Sequence, residues 1–89
     1  MQEVTLTVRH KVGLHARPAA LFVQTAKKFK SQVLVTKDSR QTDAKSILGI
    51  LTLGAGQGAV VTIRAEGEDE AEAVAALKQL VDDNFGEHE

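Results

Sequence analysis

Val4, Leu6 and Val8 alternate with Glu3, Thr5 and Thr7, the period-two pattern of a strand with one buried face. Charge and Gly13 break that pattern between Arg9 and Leu14. Pro18 then stands where its missing N–H costs nothing, in the first turn of a helix predicted from about Ala16 to Phe29. At roughly 100° per residue, Ala19, Phe22, Val23, Ala26 and Phe29 share one face, opposite Arg17, Ala20, Leu21, Gln24, Lys27 and Lys28. Val33 and Val35 alternate with Gln32, Leu34 and Thr36, and the Asp-Ser pair between Lys37 and Arg40 predicts a turn into a short strand over Arg40 to Asp43.

Ser46 precedes an apolar run from Ile47 to Leu53, which predicts a short helix with Ser46 as N-cap and Gly54 as its end. That helix is apolar almost all round. Two turns on a thin protein cannot bury every side, so either the helix is sandwiched or one side is a docking surface, and the docking surface is the expectation. Gly54, Gly56 and Gly58 connect it to a strand in which Val61, Ile63 and Ala65 alternate with Val60, Thr62, Arg64 and Glu66. Asp69 and Glu72 have the spacing of a capping box, and Ala73, Val74, Leu77, Leu80 and Val81 come next at helical spacing up to about Phe85. Strand, helix, strand, strand, helix, strand, helix, each with one apolar side, is buried economically as a two-layer α+β sandwich.

With 89 residues the expectation is a single domain over 1–89, with a radius of gyration near 12 Å and no room for an enclosed cofactor cavity. Chemistry must therefore be near the surface. The chain has no cysteine, which removes disulfides, thiolate catalysis and zinc ribbons. Lys and Arg number 11 against 12 Asp and Glu, and Trp and Tyr are absent, so neither a basic footprint nor a stacking platform for nucleic acid is present. No run approaches the roughly 18 apolar residues of a spanning helix, and the alternating N-terminal segment is unlike a secretion signal. Membrane insertion is not expected, and the expected location is the cytoplasm.

The segment Gly13-Leu14-His15-Ala16-Arg17-Pro18-Ala19-Ala20 puts an imidazole at the mouth of a helix and a guanidinium two residues later. Amides at a helix start lack intrahelical acceptors, the dipole favours negative charge there, and Arg17 offers a fork of donors suited to phosphate oxygens. Because Pro18 has no N–H, the backbone donors are expected to be Ala16 and Arg17. Neutral imidazole is a competent nucleophile near neutral pH, so His15 could accept a phosphoryl group without a separate base or a metal. Spacing alone leaves a plainer reading open, with His15 a polar N-cap and Arg17 an exposed helix charge. His10 and His88 read as solvated side chains rather than ligands.

Gly13-Leu14-His15-Ala16-Arg17-Pro18-Ala19 resembles the active-centre signature of the HPr family, the histidine-containing phosphocarriers of the bacterial phosphoenolpyruvate:sugar phosphotransferase system. Lys45-Ser46-Ile47-Leu48-Gly49-Ile50 resembles the family's regulatory serine segment, and Leu53-Gly54-Ala55-Gly56, Gly58 and Thr62-Ile63 resemble the family's next segment. The resemblance implies an open-faced β-sandwich, a four-stranded antiparallel sheet with three helices on one face. It also implies a carrier rather than an enzyme, without cofactor: phospho-enzyme I delivers a phosphoryl group to Nδ1 of His15, Arg17 stabilises it, and an enzyme IIA domain takes it in sugar uptake. Val12 departs from the small polar residue many members carry beside the histidine, which bears on the hydrogen bonding and pKa of His15.

Docking is expected on Ala20 and Leu21, with Ile47, Leu48 and Leu51 on the second helix, ringed by Arg17, Gln24, Lys27, Lys28 and Lys45. The resemblance implies that Ser46 is phosphorylated by an HPr kinase/phosphorylase, placing negative charge at the edge of that surface, and that a catabolite-control transcription factor is a further partner. The chain is expected to be a monomer. Two alternatives share its sequence features: a paralogue serving nitrogen-related or dihydroxyacetone phosphotransfer, and a regulatory binding module whose His15 stays unmodified.

Overall fold

The alternating segments pair as one antiparallel sheet in the computed structural model, which describes residues 1–9 and 16–86. In chain order the elements are β1 (Gln2–Thr7), α1 (Ala16–Ala26), β2 (Gln32–Lys37), β3 (Arg40–Asp43), α2 (Ile47–Leu53), β4 (Val60–Glu66) and α3 (Glu70–Asp82), with a 3₁₀ turn over Asn84–Gly86 at the end. The sheet order is β1-β4-β2-β3. Leu6, Val33, Val35, Val61, Ile63 and Ala65 are buried in one cluster with Phe22, Val23, Ile50, Leu53, Ala73 and Leu77, so all three helices cover the same face. The other face is open. The radius of gyration is 11.5 Å, close to the value expected from length.

The sheet's register is set by the alternation, since a one-residue slip would turn every buried valine outward. Val4 faces Ile63 and Leu6 faces Val61, while Val35 faces Ile63 from the other side. Pairing continues past Thr7: the Val8 N–H donates to the Ala59 carbonyl at 2.8 Å, and the Gly58 N–H donates to the Val8 carbonyl at 2.8 Å. Two residues thus oppose one, a bulge in which Gly58 supplies a φ of 87°. In the β2–β3 hairpin the turn residue Asp38 takes φ 56° without glycine, as aspartate tolerates.

Three expectations need correction. The first helix ends at Ala26 rather than Phe29. After Lys27 donates to Val23, Lys28 and Phe29 donate to Thr25 and Ala26, three residues back, so the last turn tightens; the Lys45 ammonium then bonds the Phe29 carbonyl at 2.8 Å. The last helix stops at Asp82, because Asn84 and Phe85 take left-handed φ values of 56° and 58°, which turns Phe85 into the core. Asp69 is the N-cap of α3 but makes no side-chain cap bond, and no Asp69–Glu72 box forms. Its carboxylate instead accepts from the Lys30 and Ser31 N–H groups at 2.8 and 2.9 Å and from the Ser31 hydroxyl.

All three phenylalanines belong to the core side: Phe22 and Phe85 are buried and Phe29 packs against the cluster. No described helix is long and apolar enough to cross a membrane.

Candidate functional site

Ala16 and Arg17 are exposed at the start of α1, and Pro18 behind them is buried. The first turn contains no acidic side chain, so nothing in it offsets the positive end of the helix. Arg17 therefore stands in a turn suited to an anion. His15, the predicted acceptor, lies outside the described residues, as do His10, Val12 and His88.

Ser46 has the extended backbone of an N-cap, φ −107° and ψ 113°, and its hydroxyl accepts the Gly49 N–H at 3.1 Å. Gly54 ends α2 with φ 64° in the left-handed region. Ile50 and Leu53 point into the core, which leaves Ile47, Leu48 and Leu51 40%, 74% and 40% exposed. These three form the uncovered side of a helix that α1 packs against. On α1, Gln24 and Lys27 are exposed, Ala20 is half-buried, and Leu21 is half-buried with part of its side chain against the core. Lys28 is exposed, but Lys45 departs from the expected rim. Its ammonium is committed to the Phe29 carbonyl, so it ties α1 to the start of α2 and is itself half-buried.

The local pattern missed a shallow cavity of about 370 Å³ between β3 and α2, with Arg40, Thr42, Leu48, Gly49 and Leu53 among its walls. Arg40 donates to the Thr52 carbonyl at 3.2 Å near the end of α2, where helix carbonyls lack intrahelical partners. The helix comes so close to β3 at Gly49 that a Cβ there would overlap the Thr42 hydroxyl. A glycine inside a helix was the one signal of that approach. Asp69 was also missed as a joint. The Ser31 hydroxyl first, then the Lys30 and Ser31 N–H groups, hold its carboxyl down to about 2.

A family model described as the PTS HPr component phosphorylation site matches residues 2–83. The phosphocarrier protein HPr of Xylella fastidiosa is 46% identical over 87 residues, which cover 98% of each chain. The HPr-like protein Crh of Halalkalibacterium halodurans is 45% identical over 82 residues, 92% of this chain and 98% of that one. A crystal structure of HPr from Thermoanaerobacter tengcongensis, 57% identical, superposes with a TM-score of 0.98 over the whole of both chains.

Proposed function

We propose that this chain, which belongs to the HPr family of phosphotransferase-system phosphocarriers, carries its phosphoryl group on His15 between enzyme I and enzyme IIA domains. Nδ1 of the neutral imidazole attacks phosphorus; the P–N bond forms as the bond to enzyme I breaks, and the acceptor domain reverses the exchange. The observation that carries this reading is the exposed Arg17 in an α1 first turn free of acidic groups, two residues after His15 in the sequence. Its guanidinium and the amides of Ala16 and Arg17 offset the phosphoryl charge. A few surface donors suit a relay, which must hold the group through diffusion and still release it. The chain is a stoichiometric carrier in the cytoplasm, and no cofactor takes part.

The docking surface is the open side of α2, Ile47, Leu48 and Leu51, with Ala20, Leu21, Gln24 and Lys27 of α1 beside it. Its support is the exposure of three large aliphatic side chains on one helix. Ser46 is a regulatory phosphorylation site for an HPr kinase/phosphorylase. A phosphate there sits at the start of α2, adjacent to Ile47, and opposes an acidic partner by charge while leaving His15 unchanged.

The test of the carrier reading is intact mass after incubation with enzyme I, Mg²⁺ and phosphoenolpyruvate. One acid-labile phosphoryl adduct is expected on the wild type and none on His15→Ala. An unmodified wild type, with enzyme I active on a control carrier, would refute it and favour the regulatory-module reading.

A further inference from the structure

The cavity between β3 and α2 takes none of its described walls from α1. Alternation along β3 turns Arg40 and Thr42 toward the helix layer and Gln41 toward the open face, where its side-chain amide donates to Thr36 Oγ1 at 3.3 Å. From the other side, Leu48 and Thr52 stand four residues apart on one ridge of α2, and Gly49 and Leu53 on the next. The helix touches the strand twice, where Gly49 meets Thr42 and where Arg40 Nη1 donates to the Thr52 carbonyl at 3.2 Å. Residues of both contacts border the cavity.

Small-molecule sites are mostly apolar with a few directional polar groups, and this cavity has that make-up. Leu48 and Leu53 supply aliphatic surface. The Thr52 hydroxyl proton is committed to the Leu48 carbonyl at 2.5 Å, and the Gln41 amide to Thr36. Arg40 is less committed. Its one bond holds Nη1, which leaves the edge of the fork that carries Nε and Nη2 open. Among the described residues, Lys37, Arg64 and Lys78 stand in ion pairs and Arg40 in none, and no acidic side chain lines the cavity. Its volume, about 370 Å³, lies at the small end of the roughly 300–1,000 Å³ of ligand sites.

We propose that this cavity is a binding site for a free medium-chain aliphatic carboxylate, with the chain against Leu48 and Leu53 and the carboxylate on Arg40. Two carboxylate oxygens in one plane match the open edge of a guanidinium. The Thr52 carbonyl already holds that guanidinium in place, which lowers the ordering cost of binding. Sugars and nucleotides fit poorly, because their hydroxyls would meet leucine side chains with few groups to receive them. Leu48 belongs both to the cavity and to the docking surface proposed above, so a bound chain covers part of that surface and slows phosphotransfer. This consequence rests on the docking reading; the binding itself does not.

Octanoate is the probe, titrated into the full chain while backbone amide shifts are followed by NMR. Saturable shifts are expected at Arg40, Thr42, Gly49 and Thr52 and none at Ala65 or Val74, with a dissociation constant of about 1 mM. Octanol, the same chain without the charge, should bind about tenfold more weakly. Octanoate should lose about as much on Arg40→Gln, a change at an exposed position that leaves the fold intact. Hexanoate, two methylenes shorter, should also bind about tenfold more weakly. Octanoate should slow transfer from enzyme I to the wild type and, at the same concentration, leave transfer to Arg40→Gln unchanged. Binding without slowing would support the site and refute the docking reading. Absence of saturable shifts at about ten times the expected dissociation constant would overturn the site. So would octanol binding as tightly as octanoate, or Arg40→Gln binding like the wild type. Tighter binding of an acetylated dileucine, whose chain end presents the same carboxylate, would overturn the free acid in favour of a peptide terminus.

Discussion

Asp69 joins two segments distant in sequence. Its carboxylate satisfies the backbone where the chain leaves α1 for β2, and Gly67 lets the loop before α3 pass so close that a Cβ would lie 2.7 Å from Ser31 Cα. With its pKa at about 2, below an ordinary aspartate's value near 3.9, the carboxylate contributes stability fully present above the ordinary value and lost as pH falls through 2. Glu70 adds to the same slope, since the Met1 amino group first and the Gly67 N–H second hold its carboxyl low. Asp69→Asn keeps the shape but turns an amide N–H₂ toward donors. Its Tm is expected to be several degrees lower at neutral pH, with a flatter decline between about pH 5 and 2. Parallel Tm–pH curves for variant and wild type would show that the joint is not charge-dependent. The sequence marks Asp69 as a helix-start residue, but its partners at Lys30 and Ser31 depend on a packing that no local spacing records.

At the scale of elements, α2 is the most legible part of the chain, because its start and end are set by side chains within its own few residues. Ser46 as N-cap and Gly54 as terminator are both found as the spacing predicts. The ends of α1 and α3 are not legible, since a lysine from another segment holds the tightened turn that follows the first and two left-handed residues bend the chain after the second into the core. Ser46→Ala removes one bond to an otherwise open amide and is expected to cost about 1 kcal/mol, or a Tm lower by about 4–8 °C. Gly49→Ala separates propensity from packing: alanine favours a helix by about 1 kcal/mol, yet its Cβ meets the Thr42 hydroxyl, an overpacking that costs about 1–3 kcal/mol. Net destabilisation in urea titration is expected. A gain in stability would mean that α2 and β3 separate easily.

For the whole molecule, alternation and helical stripes predict the layers, while the strand order β1-β4-β2-β3 comes from connections between elements. That order sets α2 beside β3 and away from β1, and so decides which surface is left for partners. The signature around His15 and the apolar face of α2 are legible as residue types; that Lys45 is spent on the Phe29 carbonyl is not, because that carbonyl is brought to it only by the packing of α1 against α2. The rim proposed for the docking surface accordingly reduces to Arg17, Gln24, Lys27 and Lys28. A net charge of −1 does not oppose an acidic partner if encounter is governed by this local field. The screening length falls from about 10 Å at 0.1 M salt to about 3 Å at 1 M, so the second-order rate of phosphotransfer from enzyme I should drop by about tenfold or more over that range. Lys27→Glu should lower the rate at low salt and flatten its salt dependence. Leu48→Asp, at a position 74% exposed, should slow transfer at every salt concentration while leaving the Tm nearly unchanged. If transfer to Leu48→Asp matched the wild type, the open side of α2 would not be where partners dock. A rate that rises with salt would instead mean that the partner meets the molecule through its acidic surface.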